Sequence, residues 1–436
     1  MSETRDGVRE ICWRSICPWL ILFRTFSIAT SLPVLLLATS GALLTPLGWR
    51  VGESLFVDEQ ALQDQPGFRQ VLELNRRWPG APAALPVPNA GGFPKSVGEI
   101  LKTEPNPVEP LFLHFVQPVC QVFWSGRGLP VTHVAYYLFG LFWMLLVWAF
   151  FGGAITRMAA MKLGREERIG LGSALRHASR RLGAYVASPV FPLFGVLLVG
   201  LPVLAMGALL RPDWAVPVVA LFWFVALLCS LVITVLLLGL LFGWPLMWGT
   251  IACEPNGDAF EAFSRSYSYT FQRPLHYLFY ALLATLFGGL GWLLVYHFSE
   301  AVIHFADTAA AIGAGGERWE EMEGIRQGVE AGHTGILLGN HCINLYAGLV
   351  RSIATGFGYS LFWCLTAAIY LLLRRDVDQT EFDEVFVEQE DLAYEMPPLP
   401  SDPAGVPGVP EEETVGQAGE NQVPPSASDA TADSAT

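Results

Sequence analysis

Long uncharged blocks alternate with short, arginine-bearing connections along most of this 436-residue chain. A helix needs about 20 apolar residues to cross roughly 30 Å of hydrocarbon. Six blocks meet that length. They run over about 26–47, 131–155, 186–210, 215–251, 275–307 and 352–373. The third carries Pro189, Pro192 and Pro202, and the fourth carries Pro245, which is expected to kink that helix or end it early. The pattern predicts an all-α, polytopic membrane protein with about six transmembrane helices.

The remaining segments fill in the domain plan. Residues 1–25 mix arginines with Trp, Ile, Leu and Phe, the composition of an interfacial helix lying on the cytoplasmic surface. Residues 26–47 form the first crossing; a cleaved signal peptide is the rival reading, but the apolar stretch and its amphipathic leader are long for one. Residues 48–130 form an extracytoplasmic loop with a Pro/Gly-rich centre. Within it, V-E-P-L-F-L-H-F-V-Q-P-V-C-Q-V-F-W at 108–124 is apolar but short and broken by Pro110 and Pro118, so it is expected to dip into the membrane without crossing it. Residues 131–375 hold the other five helices, and 376–436 form a cytoplasmic tail.

Orientation follows from basic residues in short loops. Segment 157–181 holds seven Lys and Arg, the first 24 residues hold four, and Arg374-Arg375 closes the last block. With six crossings all of these fall on one side. The expectation is a multi-pass protein of the bacterial inner membrane with both termini in the cytoplasm. Beside a bilayer, the counterpart of the basic segment is anionic lipid headgroups rather than nucleic acid.

Charge changes the picture only at the tail. Charged residues make up 15% of the chain, against about 25% in soluble domains. The net charge of −14 is concentrated beyond residue 375, where there are 16 acidic and no basic residues. Such a tail is expected to be disordered. Its first part, 376–394, alternates acids with Phe382, Val385, Phe386, Val387, Leu392 and Tyr394, a pattern that could dock on a protein partner. The seven cysteines are scattered with no C-x-x-C pair, so zinc-ribbon and redox motifs have no support. Cys120 and Cys342 fall on the same expected side and could pair.

Two stretches carry further signal. Blocks two and three flank A-L-R-H-A-S-R-R-L (174–182), and blocks four and five flank A-F-S-R-S-Y-S-Y-T-F (262–271); G-A-I at 153–155 precedes the first and G-T-I at 249–251 the second. This is the form of a same-direction duplication of 131–210 and 215–308, a plan some transporters use; any helix beneath a membrane has a similar composition. The second stretch, E-P-N-G-D-A-F-E-A-F-S-R-S-Y-S-Y, resembles the inter-helix segment of several families of uncharacterised bacterial polytopic membrane proteins, matching at Glu254, Ala262, Arg265, Ser266 and Tyr267. The whole chain with its acidic, Pro-rich tail also resembles uncharacterised membrane proteins of planctomycete-type bacteria. The resemblance implies a fold and a membrane, and no activity.

Candidate chemistry is confined to Y-H-F-S-E-A-V-I-H-F-A-D, residues 296–307. At 100° per residue His297, Glu300, His304 and Asp307 share an arc of about 80°, with Phe298, Val302 and Phe305 opposite. One helix face is what helical metal ligands require, and also what any amphipathic helix provides. The stripe lies at or beyond the outer end of the fifth crossing, which favours a solvated or packed face over an ion path. A metal would need a further ligand, with His333 or His341 on the correct side. Arg351, at the start of the sixth crossing, is expected to snorkel outward.

No hydrolase, zincin, P-loop or dinucleotide signature is present, so no cofactor is expected. The leading expectation is a non-enzymatic structural or accessory membrane component. The alternatives are a transporter or channel-like protein for an uncharged or lipidic solute, and a metal-dependent membrane enzyme using His297 and His304.

Overall fold

The computed structural model describes residues 17–57, 66–80, 112, 116, 130–326 and 334–387. All regular structure among them is helical. After a 3-10 turn at Pro18–Leu20, the helices are α1 (Ile21–Ala29), α2 (Leu32–Phe56), α3 (Pro66–Asn75), α4 (Val131–Gly164), α5 (Leu171–Arg180), α6 (Leu182–Leu209), α7 (Val216–Leu221), α8 (Trp223–Cys253), α9 (Ala259–Gln272), α10 (Pro274–Ala314), α11 (Gly316–Arg326) and α12 (Thr334–Asp378). Six of them, α2, α4, α6, α8, α10 and α12, are long and apolar enough to cross a membrane. The chain is an all-α, multi-pass membrane protein. It divides into two units, Met1–Phe386 and Val387–Thr436, and all twelve of these helices belong to the first.

The first crossing is placed differently from the expected 26–47. Residues 21–29 form a separate short helix, and the spanning helix starts at Leu32. The break is local chemistry. Pro33 sits in the first turn of α2, where its missing N–H costs nothing. Ser31 Oγ donates to the Ile28 carbonyl at 2.6 Å and Thr30 Oγ to the Phe26 carbonyl at 3.0 Å, satisfying the end of α1 without continuing it. One side of α1 packs into the bundle, with Leu22, Thr25 and Ala29 fully buried, while Phe23 is exposed; residues 1–16 of the expected interfacial helix lie outside the described residues. Pro245 does not end its helix, since α8 continues through it to Cys253.

The last crossing, α12, occupies the centre. Of its most apolar window 94% is buried, against 11% for α6 and 17% for α8. It packs against α1, α2, α4, α8 and α10. Small residues make this possible, because lipid-embedded helices associate through close backbone approach rather than hydrophobic burial. A Cβ built on Gly356 would stand 2.9 Å from both Cα and N of Thr39, so α2 and α12 meet backbone to backbone. Around this contact stack large rings: Trp248 lies on Trp363 at 4.5 Å and Trp148 on Tyr359 at 4.4 Å, with Gly152 beneath, where a Cβ would come 2.7 Å from Trp363. By contrast, nothing lies within 4 Å of a Cβ at Gly200 on α6.

These two glycines give a matched test. Gly356→Val is expected to destabilise the protein by about 3 kcal/mol or more, since the obstacle is backbone and the core is close-packed. Gly200→Ala should be neutral or slightly stabilising, by up to about 1 kcal/mol. Thermal unfolding of the purified variants followed by tryptophan fluorescence distinguishes them.

At the far end of α4 a second cluster gathers Trp49, Phe68, Leu72, Tyr136 and Tyr137. His133 is fully buried there, its ring stacked on Phe68 at 3.7 Å. Of the apolar segment 108–124, Phe112 and Val116 are described. Both pack against the main core, and the Phe112 ring stacks on Trp244 of α8 at 6.0 Å. Its remaining residues lie outside the described set.

Candidate functional site

The polar face singled out in the sequence is dispersed by the structure. Glu300 turns toward α12 and accepts two hydrogen bonds from Arg351, at 2.7 Å from Nε and 3.1 Å from Nη2. Arg351 is therefore held in a bidentate ion pair and does not simply snorkel. His297 and His304 are exposed, Asp307 is half-buried, and His341 is exposed on α12. His333 lies outside the described residues, as does Cys120; Cys342 is an exposed free thiol. Among the described residues no three His, Cys, Asp or Glu side chains gather as a metal would require.

The structure instead builds a charge cluster at the opposite end of the bundle, around Glu254. The cause is a backbone problem. A helix leaves its last four carbonyls without intrahelical partners, and buried carbonyls must find others. Helix α8 ends at Cys253 in a buried setting, with Gly249–Glu254 all shielded from solvent. Thr250 O still accepts from the Glu254 amide at 2.9 Å. Ile251 O accepts from Arg181 at 3.2 Å, and Ala252 O from Arg157 at 2.6 Å. Cys253 O accepts from the Phe386 amide at 2.9 Å. Arg181 goes on to donate to Glu254 O at 2.9 Å and Pro255 O at 2.6 Å. Guanidinium groups suit this task, offering five donors in a rigid fork while placing positive charge at the negative end of a helix.

The carboxylate of Glu254 balances that charge. Its Oε1 accepts from the Tyr370 hydroxyl at 3.1 Å, and Arg265 Nη1 lies 3.2 Å away. Arg374 Nε is 2.9 Å from the same oxygen, placed as an ion pair without hydrogen-bond alignment. Arg265 reaches further, to Glu261 at 2.8 Å and Asp378 at 3.4 Å, and Tyr269 donates to Asp378. Burial alone would lower the Arg265 pKa, but Glu254 and the neighbouring tyrosines raise it above its ordinary value, so the cation is locked in place. Burial, then Asp378, push the Tyr269 hydroxyl up, and it stays protonated.

The cluster is closed by the chain itself. Beyond α12 the backbone turns at residues 382–383 and passes back across the helix ends. Arg157 donates to Phe386 O at 2.6 Å and Arg374 to Glu384 O at 2.9 Å. Val385 is almost fully buried. It lies against Gly164, where a Cβ would come 2.7 Å from Val385 Cγ2. Arg181 lies over the Phe386 ring at 5.8 Å and Arg375 over Phe382 at 5.0 Å. Residues 376–386 are thus part of the helical bundle. Those from 388 onward lie outside the described set.

In the sequence Arg157, Arg181 and Arg374 serve only as topology signals, and Glu254 and Arg265 stand out only through a resemblance. The available clue was position: each arginine stands at a junction between an apolar block and its neighbour, and Glu254 follows its block directly and precedes a proline.

As chemistry, the arrangement is closed. Each guanidinium is committed to carbonyls or carboxylates of the same chain, and one carboxylate oxygen of Glu254 accepts from Tyr370 while pairing with Arg265 and Arg374. No family model, curated protein or solved structure matches the chain.

Proposed function

We propose that the chain is a structural or accessory component of a bacterial inner membrane, without catalytic activity and with both termini in the cytoplasm. The observation that carries this is the engagement of the buried charges: the Glu254 cluster serves helix-end carbonyls and the chain's own C-terminal return, leaving a clasp instead of a reactive centre. The central helix supports the same reading. Its buried hydroxyls are used internally, Ser352 donating to Gly348 O at 2.7 Å and Ser360 to Ala29 O at 2.8 Å. The basic helix ends, Arg157, Arg181 and Arg374, support a cytoplasmic position for that end. A protein partner recruited by the tail would use the acids beyond Val387, because 376–386 is already occupied.

The second reading, a transporter for an uncharged or lipidic solute, has one specific observation in its favour. Helices α4–α5–α6 and α8–α9–α10 repeat a spanning–short–spanning order. Trp148 precedes Gly153 by the same five residues as Trp244 precedes Gly249, and Ala174 and Ala262 are fully buried residues of the two short helices. Flux separates the readings. Proteoliposomes loaded with glycerol, glucose or a fluorescent phospholipid should leak or scramble within about twofold of protein-free vesicles. An acceleration of tenfold or more for any of the three would replace the structural reading with the transport one.

A further inference from the structure

The second aromatic cluster holds a histidine where a charge would have no counterpart. About 24 residues of α4 separate His133 from Arg157, which at 1.5 Å per residue is about 36 Å, against roughly 30 Å of hydrocarbon. His133 therefore stands at the end of the bundle opposite the Glu254 cluster, just past the edge of the membrane. Its side chain is fully shielded from solvent, and neither ring nitrogen has a hydrogen-bond partner among the described residues. The ring lies nearly flat on Phe68 of α3, with 16° between the planes. Phe68 in turn meets Tyr136 and Tyr137 edge-on. The indole N–H of Trp49, in the same cluster, is likewise buried without a partner among the described residues.

Helix α3 is tied down unequally at its two ends. The C-terminal end is held by polar contacts. Asn75 donates to the Tyr136 hydroxyl at 3.3 Å, Arg76 pairs with Glu53 of α2 at 3.2 Å, and Thr355 of α12 donates to Pro79 O at 3.1 Å. Arg50 donates to Arg76 O at 3.3 Å and lies over the Trp78 ring at 5.4 Å. The first turn is held by the packing of Phe68 on the His133, Tyr136 and Tyr137 rings. The charges of these elements stand apart from the imidazole. Arg50, Glu53, Arg76 and Arg77 gather at the C-terminal end of α3, and Arg69 pairs with Glu73 on its exposed side at 3.6 Å. Tyr136 and Tyr137 are the titratable groups beside the ring. Phenols ordinarily ionise near pH 10 and carboxylates near pH 4, so between about pH 7.5 and about pH 5 the group in this cluster that changes charge is His133.

An imidazolium in this position would be a buried cation without an acceptor, which is costly. Lifting the first turn of α3 brings the ring to water and removes that cost. We propose that His133 is an acid-sensing latch: neutral, it seats Phe68 and α3 against α4; protonated, it releases the N-terminal end of α3, which swings about the contacts at Asn75–Pro79. The latch stands on this geometry, and its facing the extracytoplasmic side rests on the orientation proposed above. The sign follows from linkage. The open form binds a proton that the closed form excludes, so the closed form is favoured above about pH 6.5, where an exposed histidine is neutral, and loses about tenfold against the open form for each pH unit below it. At about pH 5 the shift reaches about 30-fold.

Pulsed electron paramagnetic resonance on the full-length chain tests this. Nitroxides are placed at Val51→Cys on α2 and Arg69→Cys on α3, both exposed positions, with Cys12, Cys17, Cys120, Cys229 and Cys342 changed to Ser in the parent. In right-side-out membrane vesicles, moving the medium from about pH 7.5 to about pH 5 should raise the open-to-closed ratio at least tenfold, seen as a second, longer distance between the labels. His133→Phe keeps a ring on Phe68 and cannot take up a proton, so it should show the closed distance at both values. An unchanged distance in the parent, or the same acid response in His133→Phe, would overturn the proposal. A response in inside-out vesicles in place of right-side-out ones would leave the latch standing and reverse the orientation of the chain.

Discussion

Replacing Glu254 by alanine is expected to lower the stability of the bundle by about 3–5 kcal/mol, the range for breaking a buried ion pair by removing one partner. The magnitude follows from burial. Glu254 is 5% exposed and the Arg374 side chain 8% exposed, so neither charge can turn to water when the other is lost. The Tyr370 hydroxyl would also lose its acceptor. Glu254→Gln should restore little, since it keeps an oxygen for Tyr370 but leaves Arg374 and Arg265 without their shared counter-charge. Glu321→Ala is the comparison: its pair with Arg318 is largely exposed and is worth about 1 kcal/mol or less. Thermal unfolding of the three purified variants gives the answer. A Glu254→Ala protein that unfolds at the same temperature as Glu321→Ala would show that the cluster does not hold the helix ends together.

Cutting the chain at two points only eight residues apart should have opposite outcomes. Termination after Val387 removes most of the acidic tail and touches none of the contacts described, so stability should stay within about 0.5 kcal/mol of the full chain. Termination after Gln379 also removes residues 380–387. Burial of Val385 is then lost, at about 1.5–3 kcal/mol. Cys253 O loses its donor, and Arg157 and Arg374 lose the Phe386 and Glu384 carbonyls, with an unsatisfied buried group costing about 1–3 kcal/mol. The shorter protein should be less stable by about 3–6 kcal/mol, or fail to accumulate. Limited proteolysis provides a second readout: release of the tail from the intact protein should stop near residue 387. Equal stability of the two truncations would refute the strap as a structural element.

The six apolar blocks were legible because hydrocarbon imposes one length and one polarity on whatever crosses it, and that signal is independent of tertiary contacts. Boundaries were less so. The start of α2 is set by Ser31, Thr30 and Pro33 acting together, a three-residue signal inside a block that is apolar on either side. The centrality of α12 was not legible, since its Gly356, Ser360 and Thr366 look like any small-residue helix until neighbours approach them. The face at His297–Asp307 was recognised as a face, but which way it turned depended on Arg351, 51 positions from Glu300. The Glu254 cluster is the extreme case. Its members come from five places in the sequence, and only closure of α8 by Arg157, Arg181 and Phe386 makes their charge intelligible.

That closure also bears on biosynthesis. Arg157 and Phe386 are 229 positions apart, so the second helix to enter the bilayer, α4, waits for almost the last residue of the bundle to be made. A ribosome must finish α12 and emit the strap before the last carbonyls of α8 find all their donors. Domains usually consolidate from the N-terminus as they emerge; here the sealing contacts of α4 and α8 wait for the last residues of the bundle.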